Sequence, residues 1–247
     1  MDNEKNIEGG ATVKSGILAK LENFWYHYKW HSLIALFLVF TITVCTLQMC
    51  EKKKYDVNVL YAGGYAFSRD NTEADYSEYQ KLITAMRSFT EDHDNNGKIS
   101  VSFRDLYTPN EEELSKVDGE AFFSRAYEDR KVLSSTMMTG GYFLCFFSPD
   151  VFKNYDSVDE DGVGIFVNLS AILPEDASVE YYNSKATGIK LSSLDIYSLS
   201  GFSCMPEDTV VALRNTGFST HLDNKKNTRD FERAKSMLIK MVEYEAQ

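Results

Sequence analysis

The feature that most constrains this chain is one long apolar run near its N-terminus. From Ser32 to Cys50, nineteen consecutive residues carry no formal charge. As an α-helix this run is about 28 Å long, close to the ~30 Å hydrocarbon layer of a bilayer. It has no polar face, and its threonine hydroxyls can bond back to the helix's own carbonyls, so they are tolerated in lipid. We therefore predict a transmembrane helix at residues 32–50.

The flanking residues favour the same interpretation. FWYHYKW, residues 24–30, is typical of an interfacial aromatic belt, and Glu51 followed by three lysines ends the run. A cleaved signal peptide is the main alternative, but it has a shorter apolar core and an A-x-A site, which this sequence lacks. Lipoprotein-type cleavage with lipidation at Cys50 is a second alternative, and Met49 fits such a site poorly.

The charge of the chain bears on its partners. Residues 1–54 hold 7 of the 26 basic and 5 of the 37 acidic side chains, which leaves 19 and 32, a net charge of −13, for residues 55–247. Such a surface repels the phosphates of nucleic acid and of anionic lipid headgroups. We expect no nucleic-acid partner. Three lysines on each side of the apolar run leave its orientation undecided by charge.

The four cysteines are too few for a disulfide framework. Cys45 and Cys50 belong to the apolar run, Cys145 lies in GGYFLCFF, which is typical of a buried strand, and Cys204 lies in a predicted loop. A packed free thiol at Cys145 is favoured over a pairing of Cys145 with Cys204. Their spacing matches no metal site.

The rest of the chain alternates between strand and helix patterns. We predict disorder for residues 1–15 and an α/β domain with a mostly parallel sheet for residues 55–247. The predicted strands are residues 56–61, 99–103, 142–147, 164–170 and 209–213, with short candidates in residues 178–200. Three helices are predicted in this domain. The first begins near Asp75, the second covers residues 111–138, and the third begins near Thr228 with Asn227 as its N-cap.

The order of these segments resembles one known family. It is similar to the bacterial extracellular solute-binding proteins, which have the type 2 periplasmic-binding fold. The segments that carry the similarity are, in chain order, DVNVLY, the run from Arg130 to Phe152, VGIFVNLSAIL and VVALRNTGFSTH. The N-terminal anchor resembles that of Gram-positive membrane proteins that carry such a domain. Family members generally have two lobes and are longer, so the resemblance implies a reduced fold with one complete lobe and a remnant of the other.

The resemblance also implies a location. Such domains work outside the cell, so residues 1–31 are expected to form a cytoplasmic tail with a juxtamembrane aromatic segment. Residues 32–50 then form a single-pass signal anchor, and residues 55–247 form an extracellular domain of the cell membrane.

DHDNNGKIS, residues 92–100, matches the start of a calcium-binding loop. Oxygen-bearing side chains stand at positions 1, 3 and 5, and Gly97 stands at position 6. Position 12, where a bidentate glutamate is expected, is Phe103. The candidate ligand residues are Asp92, Asp94, Asn96 and Lys98. The open alternatives are a weak calcium site and an Asx-rich turn between helix and strand.

A small ligand of an open α/β sheet binds at the carboxyl ends of the strands. The residues that follow the predicted strands are Gly63, Gly64, Tyr65, Ser148, Asp150, Arg214, Asn215 and Thr216. Glycines let backbone amides approach a ligand, Tyr65 offers a stacking face, and Arg214 can pair with a carboxylate. The alternative is that all eight are ordinary turn residues.

The sequence gives little support for catalysis. Ser148 has no G-x-S-x-G context, and the sequence shows no catalytic partner for the histidines. We therefore expect that the protein is not an enzyme. Two functions stay open. One is a membrane-tethered, cell-surface binding protein of solute-binding type, which presents a small molecule or peptide to a transporter or sensor. The other is a ligand-free interaction or assembly subunit of an envelope or transporter complex.

Overall fold

The computed structural model describes residues 16–50, 54–65, 67, 73–117, 119–158, 163–175, 177, 179–218 and 222–245. The predicted disorder of residues 1–15 lies outside this part of the chain. The chain divides into two compact units, Met1–Lys53 and Lys54–Gln247.

The first unit contains helix α1, Gly16–Cys50. Its stretch Phe24–Thr46 is long and apolar enough to span a membrane. The hydroxyls of Thr41, Thr43 and Thr46 donate to the carbonyl oxygens four residues earlier, at 2.9, 2.8 and 2.7 Å. The predicted back-bonding is therefore confirmed, and these hydroxyls present no unsatisfied donor to a surrounding lipid.

The second unit is an α/β domain, as predicted. Its strands are β1 (Val57–Gly63), β2 (Val101–Tyr107), β3 (Leu144–Phe147), β4 (Ile189–Lys190) and β5 (Val210–Leu213). Its α-helices are α2 (Glu73–Ser88), α3 (Glu111–Ser115), α4 (Glu120–Met138), α5 (Pro149–Tyr155) and α6 (Lys225–Val242). Short 3₁₀ turns at Leu169–Ala171, Leu191–Ser193, Asp195–Ser198 and Phe202–Cys204 lie between β3 and β5.

Three predicted elements differ from the structure. The predicted helix at residues 111–138 is interrupted by Gly119, whose φ of 123° is open mainly to glycine, and becomes α3 and α4. Residues 164–170 form no strand. One bridge joins Phe166 to Arg214, and the chain then turns because the Asn168 side chain accepts from Ser170 N at 3.0 Å. Helix α6 is capped by Asn224 rather than by Asn227.

The five strands form one mixed sheet in the order β2-β1-β3-β5-β4. β1 pairs in parallel with β2 and with β3, whereas β5 pairs antiparallel with β3 and with β4. The prediction of a mostly parallel sheet is therefore correct for the first three strands and wrong for β5. The reversal of β5 decides which loops share an edge of the sheet.

Both faces of the sheet are covered by helices. Alternate residues of β1 point to opposite faces, as the pleat requires. Val57, Val59 and Tyr61 belong to the core under α2 and α6, and Leu60 and Ala62 belong to the core under α4 and α5. The crossover through α2 thus covers one face and the crossover through α4 covers the other. This double winding places a topological switch point between β1 and β3.

The sheet also separates two cysteines. Cys145 of β3 is fully buried on the α4 face, and Cys204 packs against the core of the α2 face. Both thiols are free, which confirms the packed free thiol predicted at Cys145.

Candidate functional site

The parallel strands β1, β2 and β3 end at one edge of the sheet, called here the carboxyl edge. The chain leaving β2 and the chain leaving β3 are both tied to the end of β1. Thr108 N donates to Gly63 O at 2.8 Å, and Ser148 N donates to Ala62 O at 3.0 Å. Loops from both sides of the switch point are therefore held beside the end of one strand, where doubly wound sheets place their ligands.

Five of the predicted ligand residues lie at the carboxyl edge: Gly63, Gly64, Tyr65, Ser148 and Asp150. Gly64 lies against a carboxylate of the protein, which a larger residue at this position would displace. A Cβ added there would lie 2.3 Å from Glu113 Oε2. That carboxylate accepts from Asn110 N at 2.8 Å and so completes the capping box of α3.

Tyr65 is held by protein contacts. Its N–H donates to the Tyr61 hydroxyl at 3.3 Å, its own hydroxyl donates to Glu78 Oε2 at 3.3 Å, and its ring meets Phe67 edge-on. Burial raises the pKa of the Tyr61 phenol well above its ordinary value, and the charges of Glu113 and Asp208 raise it further. Tyr61 therefore stays a neutral hydroxyl under this edge.

The prediction that Arg214, Asn215 and Thr216 lie beside these residues is wrong. β5 runs antiparallel to β3, so the end of β5 faces the start of β3, and Leu213 pairs with Leu144. Arg214 N donates to Phe143 O at 2.8 Å. These three residues therefore lie at the opposite edge of the sheet, called here the amino edge.

Arg214 is used by the fold itself. The side chain is 1% exposed and lies over the Phe143 ring at 5.6 Å. Its guanidinium donates to four carbonyl oxygens at the end of α4 and just after it, those of Thr136, Met137, Thr139 and Tyr142, at 2.7–3.2 Å. Burial lowers the pKa of this guanidinium. The group caps carbonyls that the helix end leaves unpaired and has no open face for a ligand carboxylate.

Asn215 is an ordinary turn residue. Its Nδ2 donates to Gly164 O at 3.3 Å, and its Oδ1 accepts from Gly217 N at 2.9 Å. The alternative of an ordinary turn residue therefore describes Asn215, whereas Arg214 has the structural role given above.

A cleft of about 590 Å³ opens at the carboxyl edge on the α4 face. Its volume lies within the roughly 300–1,000 Å³ of small-molecule sites. Among its walls are Thr108 and Asn110 after β2, Arg130 of α4, and Asp150, Asn154 and Tyr155 of α5. Of these, the sequence identified only Asp150. The sequence held a signal for Thr108 and Asn110 in Thr108-Pro109-Asn110, a polar turn directly after β2.

Thr108 is the unusual group in this cleft. The residue is 4% exposed, and its Oγ1 is buried without a hydrogen-bond partner among the described residues. Burying an unpaired hydroxyl costs on the order of 1–3 kcal/mol. The Thr108 residue lines the cleft, but its oxygen is covered by neighbouring atoms, so a group from outside the protein reaches it only when a neighbouring side chain shifts.

The wall beside Thr108 is preorganised. Asn110 Oδ1 accepts from Glu113 N at 2.8 Å, and its Nδ2 donates to Asp150 Oδ2 at 2.9 Å. The side chain thus links the start of α3 to the start of α5 and fixes the carboxylate of Asp150. Glu111 lies in the first turn of α3.

The predicted calcium loop is an Asx-rich turn in this structure. Asp92 accepts from Asn96 N at 3.2 Å and from Gly97 N at 2.7 Å, and Asn96 Oδ1 accepts from Lys98 N at 2.8 Å. Partial desolvation raises the pKa of Asp92, but the bonds from Gly97 and Asn96 outweigh it, so the pKa lies below its usual value. Phe103 is buried in β2 and offers no ligand.

A third carboxylate joins this turn. Oxygens of Asp56, Asp92 and Asp94 lie within 4.8 Å of one another. Asp56 precedes β1 and is 3% exposed, and it accepts from His93 N, Ser100 N and Ser100 Oγ at 2.8–2.9 Å. The sequence pattern missed Asp56 because it lies more than thirty positions before the loop. Calcium binding stays a prediction, since every carboxylate of the group already accepts hydrogen bonds from the turn.

Comparison with known proteins adds no assignment, because no family model, curated protein or solved structure matches this chain. The residues and their geometry therefore carry the functional argument.

Proposed function

We propose that this chain is a membrane-tethered, non-catalytic binding protein of the cell surface. Helix α1 anchors it, residues 1–31 face the cytoplasm, and the domain of residues 55–247 holds a small ligand outside the cell. The cleft at the carboxyl edge is the binding site. The observation that carries the proposal is the buried, unpaired hydroxyl of Thr108 in that cleft.

The architecture supports a solute-binding type of protein. A sheet with helices on both faces and a switch point beside the cleft is a common support for small-molecule sites. A five-stranded mixed sheet in which β5 opposes its neighbours is compatible with one lobe of a type 2 periplasmic-binding fold. The anchor keeps such a lobe near a membrane partner, such as a transporter or sensor, to which it presents its ligand.

One observation favours the second function, an assembly subunit of an envelope or transporter complex. Phe123 and Tyr127, one turn apart on α4, are 48% and 62% exposed. Exposed aromatic pairs are more frequent at protein interfaces than elsewhere on surfaces. Both functions share the anchor and the outward-facing domain and differ in whether the cleft is occupied.

A thermal-shift screen of the full-length protein in lipid nanodiscs tests the binding function. The panel contains simple sugars, amino acids, short peptides and inorganic phosphate. A ligand that binds only the folded state raises the melting temperature by mass action. At least one class is expected to do so, and a flat response to all of them would contradict the binding function and favour the assembly subunit.

The location is tested separately by protease added to intact cells that express the chain. The domain of residues 55–247 is expected to be digested while residues 1–31 stay protected. Protection of the domain until the cells are broken would contradict the proposed orientation.

A further inference from the structure

The unused hydrogen-bonding groups of the cleft indicate what kind of ligand it accepts. The Arg130 guanidinium donates through one nitrogen to Pro109 O at 2.5 Å, and its other N–H groups meet no acceptor in the part of the chain that the structure describes. Arginine carries five N–H donors, so donors remain for a ligand. The bond to Pro109 holds the guanidinium at the cleft wall.

Acceptors remain unused at the same wall. Asp150 Oδ2 takes the bond from Asn110, whereas Oδ1 has no donor among the described residues. The Asn154 side chain makes no hydrogen bond within that part of the chain, so its amide offers both a donor and an acceptor. The Thr108 hydroxyl is unpaired and offers both once a neighbouring side chain shifts to uncover it. Donors and acceptors are therefore interspersed around one small volume.

The charges of the cleft disfavour a strongly charged ligand. Asp150 and Glu111 oppose an anion, and Arg130 opposes a cation. The domain's net charge of −13 adds to the barrier for anions. A neutral molecule dense in groups that both donate and accept satisfies all of these side chains together. Hydroxyl groups on adjacent carbons have that property.

The remaining walls suit the carbon skeleton of such a molecule. Leu133 and Val151, both buried, give an apolar floor. Tyr155 adds an aromatic ring whose C–H contacts are compatible with the apolar face of a sugar ring. We propose that the cleft binds a neutral polyhydroxyl ligand, a mono- or disaccharide, through Thr108, Arg130, Asp150 and Asn154. The inference rests on the proposed binding function and names its ligand class.

The test is isothermal titration of the full-length protein with glucose, N-acetylglucosamine and maltose, compared with glycine, leucine and inorganic phosphate. Lipid nanodiscs are used because alkyl maltoside detergents are themselves saccharides and would compete. At least one of the sugars is expected to bind. Thr108→Val and Arg130→Gln should each weaken that binding about tenfold or more, because each removes a hydrogen bond to the ligand.

Thr90→Val is the matched control, because Thr90 is a buried threonine on the other face of the sheet, bonded to Met86 O. It should leave sugar binding unchanged. Arg130 is exposed at the rim of the cleft, so Arg130→Gln should fold normally. It provides a second test of the cleft if Thr108→Val is unstable.

Each contrary outcome has one meaning. Binding of glycine, leucine or phosphate that is lost in Thr108→Val, without sugar binding, would overturn the ligand class and leave the binding function standing. Sugar binding that is equal in wild type, Thr108→Val and Arg130→Gln would overturn the assignment to this cleft. Binding of no probe would overturn the binding function and the inference with it.

Discussion

The two edges of the sheet differ in whether their buried polar side chains are hydrogen-bonded by the protein. At the amino edge, Arg214 and Asp56 are charged and almost fully buried, and both are bonded several times by the protein itself. At the carboxyl edge, Thr108 is neutral and nearly as buried, yet its hydroxyl has no partner among the described residues. The difference indicates that the amino edge holds the fold together, whereas under the proposed function a ligand completes the carboxyl edge.

The largest effect is expected at Arg214. Arg214→Met keeps the bulk of the side chain but leaves four carbonyl oxygens at the end of α4 without their donor. Unpaired buried polar groups are costly, so the free energy of unfolding should fall by about 3–5 kcal/mol. Urea unfolding of the full-length protein in detergent micelles, followed by circular dichroism, measures it.

Arg104→Met is the matched control for that experiment, because Arg104 is exposed on β2 and its side chain makes no hydrogen bond or ion pair with another described residue. Its cost should stay within about 0.5 kcal/mol. A similar small cost at Arg214 would mean that the amino edge does not depend on that side chain.

A smaller loss is expected at Asp56. Asp56→Asn preserves the shape but removes the charge that strengthens the bonds from His93 N, Ser100 N and Ser100 Oγ. The expected cost is about 1–3 kcal/mol, in the same unfolding assay. Asp94→Asn changes an exposed carboxylate of the same turn and should cost less than about 0.5 kcal/mol. Equal losses for the two variants would argue that burial at the amino edge is irrelevant.

Chelation should have a still smaller effect. The turn at residues 92–98 already satisfies its carboxylates, and position 12 of the loop is the buried Phe103. Calcium sites of low affinity in extracellular modules have dissociation constants of roughly 10⁻⁴–10⁻³ M. Exchange of 1 mM calcium for EGTA should therefore lower the free energy of unfolding by less than about 1.4 kcal/mol. Unfolding of the domain on chelation would show that the turn is a structural calcium site.

The cysteines of the domain should show no reaction at all. Burial raises the pKa of the Cys145 thiol to about 12 and that of the Cys204 thiol to about 11, the latter with a further contribution from Glu78. At pH 8 the thiolate fraction is then on the order of 10⁻³ or less. Peptide mapping after iodoacetamide treatment of the native protein should find both thiols unmodified, and both modified after denaturation. Rapid native modification of Cys145 would contradict its burial between β1 and β5.

Apolar patterning explains why much of this fold could be predicted. An uncharged run of nineteen residues predicts a long apolar helix, and the fully apolar β3 predicts a strand that is buried on both faces. The run of Phe143 to Phe147 needs two covering layers, and α2 with α6 on one face and α4 with α5 on the other supply them. The long apolar helix and the α/β class could be predicted for this reason.

Strand direction explains why the predicted site residues lie at two opposite edges of the sheet. Val210–Leu213 has the same apolar pattern whether it runs with β3 or against it, because burial on both faces imposes no direction. The long stretch of short turns before β5 allows the chain to return antiparallel, which carries Arg214 away from Gly63 and Ser148. Thr108 was missed because its burial depends on how α4 and α5 pack over the end of β2.

The most direct test of the open carboxyl edge compares two buried threonines. Thr187 Oγ1 donates to Asp156 Oδ1 at 2.9 Å and accepts from Asn183 Nδ2 at 2.8 Å, whereas Thr108 Oγ1 has neither kind of partner among the described residues. Without ligand, Thr187→Val should lower the free energy of unfolding by about 1–3 kcal/mol, and Thr108→Val should leave it unchanged or raise it by up to about 1 kcal/mol. A loss at Thr108 as large as the loss at Thr187 would show that the protein already satisfies this hydroxyl, and would contradict a cleft that awaits a ligand.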